Sequence, residues 1–461
     1  MTTTIAFDAA ELVTRLRTTF AAGRTRAVAW RKEQLRALQA MLEAREADFL
    51  GALAADLGKC SAEGYVTEVG FLKSDLHYVL AHLDKWLKPE RVHAPIATQP
   101  GRAWIQRDPL GVALVIAPWN YPIQLSLAPI VGAIAAGNCV VLKPSELAPA
   151  SSAALTCGIA EFLDPDAITV VEGAVEETQA LLAQRWDKIF YTGNGRVGRI
   201  VMHAAAEHLT PVTLELGGKS PAVVDRTANV RVAARRIAWG KYLNAGQTCI
   251  APDYVLADAA IADELTREMD DAVRAFYGVD PRLSRDYGRI IDGRHFERLV
   301  GYLEDGTIAF GGAHDAPTRY LAPTALRGVA DDAPSMTDEI FGPVLPIRTV
   351  ASTDEAITFV NDREKPLALY VFSGDDATAE RVLAETSSGG AAVNATLFQV
   401  SVPELPFGGV GGSGMGSYHG RASFDAFSHA KSVLRRSTRP DPALAYPPYT
   451  TWKERLLRKV L

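Results

Sequence analysis

From Pro109 to Leu142 the chain carries no charged residue and no histidine, a run longer than the roughly 20 apolar residues that cross a bilayer. Pro118, Asn120, Pro122, Gln124, Pro129 and Asn138 interrupt it, and in lipid each break would strand backbone groups with no water to satisfy them. The run is therefore read as the buried heart of a soluble fold, with a polar site in its broken middle. The rest of the chain is large enough to enclose it. Its 461 residues, 48% hydrophobic and 22% charged, have the balance of a globular protein of roughly three domains at ~100–200 residues each.

With 48 Lys and Arg against 54 Asp and Glu the net charge is −6, so no global field draws the chain to nucleic acid or anionic lipid. The cysteines Cys60, Cys139, Cys157 and Cys249 are too few and too irregularly spaced for a disulfide scaffold or a CxxC metal site, and no metal is expected. The amino-terminal MTTTIAFDAAELVTRLRTTF has no basic stretch followed by an apolar core and cleavage site, which are the marks of a secretory signal. Reduced thiols in a cytoplasmic setting are the expectation.

Ala9 to Lys88 carries apolar residues at helical spacing, with Gly58 as a stop. Beyond it, Trp104–Arg107, Val112–Ile116, Val140–Leu142, Ile168–Val171 and Lys188–Tyr191 read as strands. Helices from about Pro149 to Phe162 and near Glu176–Leu182 separate some of them. Short apolar runs alternating with helices form parallel sheets covered on both faces. A second alternation begins near Val212, with VTLEL, PAVVD, a helix around Val230–Tyr242, DYVLA and a helix around Ile261–Tyr277. It continues through Ile347–Val350 and Tyr370–Ser373 to Ala391–Asn394. The fold class is α/β, with a doubly wound nucleotide-binding half and a second α/β half.

KIFYTGNGRVGRIVMHAAAEHL (188–209) is a strand, a glycine turn and a helix, in which Gly193, Gly195 and Gly198 satisfy G-x-G-x-x-G. In that context a helix amino terminus can face a pyrophosphate. Alone the pattern is weak, and a capped helix would explain it as well. The dinucleotide rule also wants an acidic residue about 20 positions on, at a strand end. Glu215 stands there, so spacing alone would put it on a ribose. NAGQTC (244–249) then presents Cys249 among small residues suited to a tight turn. A thiolate is the strongest side-chain nucleophile near neutral pH, and a carboxylate nearby could activate it or a water. A single cysteine is by itself more often a buried small hydrophobe.

These segments together carry a resemblance. VTLELGGKSP (212–221), NAGQTC, PWNYP (118–122), KPSE (143–146), EIFGPVLP (339–346) and PFGGVGGSGMGSYHG (406–420) resemble, in order and spacing from about residue 10 to 432, the NAD(P)-dependent aldehyde dehydrogenase superfamily. The glycine-rich GGVGGSGMGSYHG, the FSH element and APDYVL after the cysteine are most similar to its class 3 branch. That branch acts on medium- and long-chain aliphatic and aromatic aldehydes. The resemblance implies a Rossmann-type cofactor domain (1–85 and 107–211), a catalytic domain (212–411), and an oligomerisation element with the carboxyl-terminal tail (86–106 and 412–461). It also implies a homodimer.

It implies roles as well. Cys249 would attack the aldehyde to form a thiohemiacetal, and the Asn120 amide with the Cys249 backbone N–H would stabilise the alkoxide. Glu215 would act as general base for thioester hydrolysis rather than as a ribose ligand. The cofactor, NAD with NADP possible, would be held by Lys143, Glu146, Gly193, Asn194, Gly195, Val197, Gly198, Glu215, Leu216, Gly217, Glu339 and Phe341. Lys143 and Glu146 would take the adenosine ribose, and a carboxylate there favours NAD by repelling a 2′-phosphate. Glu339 would take the other ribose, with Phe341 by the ring. Trp119 and Tyr121 would supply apolar walls, or simply core packing. Asn194 departs from the serine usual after the first glycine; Asn tolerates a left-handed backbone and can still donate to a phosphate. The basic tail YPPYTTWKERLLRKVL puts Trp452, Leu456, Val460 and Leu461 along one helix side, read as packing on its own or a neighbouring subunit ahead of peripheral membrane contact. Two alternatives stay open: a CoA-acylating semialdehyde dehydrogenase, and a non-catalytic protein on the same fold.

Overall fold

In the computed structural model, which describes residues 7–441 and 443–460, two large sheets, one of three strands and a two-stranded ribbon organise the chain. The first large sheet has six strands in the order Gly414–Met415, Val212–Glu215, Lys188–Thr192, Val112–Ile116, Cys139–Lys143, Ile168–Val170. All its pairings are parallel except that of Gly414–Met415 with Val212–Glu215. The helices Ala9–Ala21, Val28–Ala44, Glu46–Leu57 and Gly70–Trp86 share one hydrophobic core with this sheet through residues such as Leu16, Leu38, Leu53 and Leu76. Gly58, at φ +66°, ends the third of them as expected.

The uncharged run lies at the centre of this half. It supplies the strand Val112–Ile116, the helix Gln124–Ala136 and the start of the strand Cys139–Lys143, and every residue of that helix is buried. A helix enclosed on all sides has no polar face and so no amphipathic period. For that reason the sequence pattern does not announce it. Among the described residues no helix is long and apolar enough to cross a membrane.

The second large sheet has seven strands in the order Thr307–Phe310, Thr324–Arg327, Val344–Val350, Tyr254–Asp258, Pro221–Val224, Ala368–Phe372, Gly390–Val393. Side chains alternate between its faces, as a two-residue period requires. Ala222, Val224, Val255 and Ala257 join one core, whereas Val223, Leu256, Leu369 and Val371 join another. The first two strands were not visible in the sequence.

One expected boundary is corrected. Val212–Glu215, the expected start of the second half, pairs in the six-stranded sheet in register Ile189↔Val212 to Thr192↔Glu215. The helix Gly195–Ala206 is the crossover that delivers it there, burying Val201 and Ala205 on the same core. The chain leaves this sheet only at Gly217 and Gly218, where Gly218 adopts φ +151°. Gly414–Met415, expected in the oligomerisation element, likewise belongs to the first sheet.

Glu90–Val92, Gly101–Pro109 and Ser428–Arg436 form a separate antiparallel sheet. The tail helix Thr451–Val460 leaves Trp452 and Leu456 of its apolar side exposed in the single chain. The side chain of Val460 and the whole of Leu461 lie outside the described residues.

Candidate active site

Neighbouring strands of the six-stranded sheet end at one edge, and the residues that follow them line a cavity of about 570 Å³. Residues 117–120 follow Val112–Ile116, and Glu146 lies just beyond Lys143 at the end of its strand. Gly193 and Asn194 follow Lys188–Thr192, while Glu215, Leu216 and Gly217 close the row. Ligands of open α/β sheets bind outside these carboxyl ends. The opposite wall comes from the other half of the chain and carries Cys249, Glu339, Phe341, His295 and Arg298.

Cys249 is held by a tightly coiled loop. Asn244 and Ala245 have φ of 52° and 49°, and Gly246 has φ of 76°; such left-handed conformations persist only where surroundings enforce them. At Gly246 a Cβ would collide with the backbone of Gly342. Gln247 secures the loop, its side chain donating to Asn244 O and Arg289 O, both at 3.0 Å, and accepting from Ile291 N at 2.9 Å. The Asn120 amide Nδ2 donates to Gln247 O at 3.1 Å, so the oxyanion candidate is bonded to the nucleophile's loop. One of its two N–H groups is thus used and the other is left for the cavity.

Glu215 is 2% exposed, and neither of its carboxyl oxygens has a hydrogen-bond partner. A lone buried charge is costly. Burial therefore pushes the Glu215 carboxyl well above the usual range. Burial, with the Glu339 and Glu215 carboxyls nearby, pushes the Cys249 thiol up as well. Both shifts favour the protonated forms. Such displaced values are typical of groups that must gain and lose protons.

On the cofactor wall, Lys143 is buried and donates to Pro144 O at 2.7 Å, with Glu146 Oε2 3.5 Å away. Burial lowers its pKa. On the opposite wall Glu339 is pushed up to about 8, chiefly by burial and then by Asp253, and its Oε1 has no partner. A Cβ at Gly217 would strike the Glu339 carboxylate, so a side chain there would push that carboxylate aside. Phe341, at φ 50°, meets Trp119 edge to face with centroids 5.3 Å apart.

Asn194 is not left-handed, as its permissiveness suggested. It is extended (φ −81°, ψ 154°) and caps the helix Gly195–Ala206, its side chain accepting from Val197 N at 3.0 Å. A serine would cap in the same way, which explains the substitution. Gly193, Asn194 and Val197 line the cavity; Gly195 and Gly198 do not. Gly198 instead allows close packing against Leu216.

Sequence reasoning missed His295 and Arg298. His295 packs on Trp119 at 5.1 Å and bonds Asp292 through Nδ1 at 2.8 Å. Arg298 donates to Ile340 O at 2.9 Å and steadies the Glu339 loop. Both precede the EIFGP segment by about 40 residues and carry no local signal.

The residues present fit a dinucleotide. A capped helix amino terminus offers its positive end to the cavity, Glu339 keeps an orphaned oxygen, and Gly217 leaves the Glu339 carboxylate its place. Dinucleotide chemistry on one wall and thiol chemistry on the other define an oxidoreductase working through a cysteine. The chain belongs to the aldehyde dehydrogenase family, whose sequence profile matches residues 3–433. It is an NAD(P)-dependent aldehyde dehydrogenase.

It is 49% identical over 440 residues to the dimeric NADP-preferring aldehyde dehydrogenase of Canis lupus familiaris, covering 95% of this chain and 97% of that protein. To aldehyde dehydrogenase family 3 member A2 of Rattus norvegicus it is 50% identical over 438 residues, covering 95% and 90%. Among solved structures, the substrate-bound AldH of Staphylococcus aureus superposes with a TM-score of 0.95 at 44% identity, covering 97% of this chain and 98% of that one. A betaine aldehyde dehydrogenase of the same organism, solved with NAD+, gives 0.85 at 26% identity over 95% and 91%.

Proposed function

We propose that this enzyme oxidises hydrophobic aldehydes, medium- or long-chain aliphatic or aromatic, to carboxylic acids through Cys249, Glu215 and Asn120. The carrying observation is that these three, from distant parts of the sequence, line one cavity with the cofactor-wall residues. Cys249 gives up its proton to solvent, its Sγ bonds the carbonyl carbon, and the carbonyl oxygen takes the electron pair as an alkoxide. The free N–H of Asn120 and the Cys249 backbone N–H stabilise that charge. As the alkoxide re-forms its C=O the hydrogen on that carbon leaves with its electron pair, for which a bound nicotinamide would supply the acceptor, and a thioester to Cys249 remains. Glu215, ionised by loss of its own proton to solvent, then takes a proton from water, whose oxygen bonds the thioester carbon and expels the Cys249 thiolate, releasing the acid.

Lys143 and Glu146 would hold the adenosine ribose, residues 193–197 the pyrophosphate, and Glu339 the second ribose, with Phe341 beside the ring. Glu146 favours NAD, while the NADP-preferring relatives support acceptance of both. The assembly we propose is a homodimer. The dimeric relatives support it, as does the exposed edge strand Ser428–Arg436, since unpaired edges invite covering. A cytoplasmic setting suits Cys249, which must stay reduced.

The test is a reduced-cofactor release assay over aliphatic chain lengths and aromatic aldehydes, with NAD and NADP, identifying the product. Free acid from hydrophobic aldehydes is expected. Acyl-CoA formed only when CoA is supplied would establish the acylating alternative, and no reduced cofactor across the panel would remove the catalytic reading.

A further inference from the structure

Beneath the loop that carries Asn120 lies an ion pair sealed from solvent on both sides. Lys59 Nζ and Glu68 Oε1 are 2.6 Å apart and both side chains are 0% exposed. Lys59 follows the glycine that ends the helix Glu46–Leu57, and Glu68 sits in a π-helical turn, Tyr65–Val69, leading into the helix Gly70–Trp86. Such turns are rare and occur often at functional sites. Desolvating two charges costs more than an isolated pair returns, and well-packed apolar residues serve stability as well or better. The pair therefore calls for a role in geometry.

Its remaining bonds indicate which geometry. Lys59 Nζ donates to Asn120 O at 3.0 Å, and Asn244 Nδ2 donates to the same oxygen at 2.8 Å. Both lone pairs of that carbonyl are thereby occupied, so the peptide plane that aims the Asn120 side chain cannot turn. Glu68 Oε2 accepts from Ile123 N at 2.8 Å and Gln124 N at 3.2 Å, fixing the far end of the loop where the buried helix begins. Lys59 Nζ also lies 3.9 Å from the centre of the Tyr121 ring. The Tyr121 hydroxyl is 2.6 Å from Thr248 Oγ1, beside the nucleophile.

We propose that Lys59 and Glu68 are positioning residues that hold the Asn120 amide in register with Cys249 and act on the reaction only through that alignment. This rests on the reading of Asn120 as oxyanion donor. Neither residue lines the cavity, and neither touches the reacting atoms.

The test is a mutant cycle on the NAD+-bound enzyme, read as the single-turnover rate of NADH formation from saturating aldehyde. Lys59→Met with Glu68→Gln removes both charges at near-constant shape. That pair is expected to slow NADH formation about 10- to 100-fold, the scale of a small misplacement of a catalytic group, with NAD+ affinity unchanged. In an Asn120→Ala background, itself slow, the same pair is expected to cost less than about 2-fold, because the donor it aligns is gone. Glu68→Gln alone, which keeps an amide oxygen as acceptor for Ile123 N, is read in the same cycle if the pair does not fold. An equal loss in both backgrounds, or no loss in either, overturns the positioning role alone. An Asn120→Ala enzyme as fast as wild type overturns it together with the oxyanion reading.

Discussion

A carboxylic acid buried without a hydrogen-bond partner from the protein is poor as an anion, and Glu215 is such a group. The strain has a thermodynamic signature. Its folded pKa lies above the ordinary value of about 4.5. Its contribution to stability is therefore fully present below about 4.5 and is lost as pH rises toward the folded value, because the unfolded chain ionises first. Glu215→Gln removes that loss. The variant's melting temperature is expected to match wild type in acid and to exceed it by a few degrees at neutral pH and above, as calorimetry would show. A constant difference across pH would contradict a protonated Glu215. The residue scale is also where the sequence misled most, since spacing alone put Glu215 on a ribose. Only the family resemblance redirected it to catalysis, and Glu215 lines one cavity with Cys249 and Asn120.

At the scale of elements, the parts that depend on local pattern were readable, including the strand Val112–Ile116 and the helices Pro149–Phe162 and Val230–Tyr242. What could not be read depends on surroundings. The helix Gln124–Ala136 has no polar face to mark its period, and Thr307–Phe310 and Thr324–Arg327 are short runs made strands by pairing. Val212–Glu215 could be found as a strand but not assigned to its sheet, because assignment follows from the crossover helix before it. The pair Lys59 and Glu68 has no sequence signal at all; one partner reaches Asn120, 61 residues away. The glycine turn yields a prediction at this scale. Asn194→Ser keeps the helix cap and is expected to leave NAD affinity near wild type. Asn194→Ala loses a bond worth about 1 kcal/mol of helix stability and is expected to weaken binding several-fold by titration calorimetry. Equal affinities for the two variants would show that the cap does not shape the cofactor wall.

For the whole molecule, two sheets with separate cores meet at a cavity to which both contribute, so neither half holds the site alone. The small antiparallel sheet presents Ser428–Arg436 as a nine-residue edge, mostly exposed in the single chain. Light scattering of the purified protein is expected to give twice the chain mass. Proline substitutions that block the outward N–H groups of this strand should shift it toward monomer. A wild-type monomer would leave that edge open and refute the proposed assembly.

The account turns on Cys249 carrying the acyl group and Glu215 releasing it. The direct measurement is mass spectrometry of the Glu215→Gln enzyme quenched in acid after reaction with NAD+ and an aldehyde. An increase equal to the acyl group, mapped to Cys249 and accompanied by one equivalent of NADH without further turnover, is the predicted result. Steady turnover with Cys249 unmodified, or an acyl group found on another residue, would contradict it.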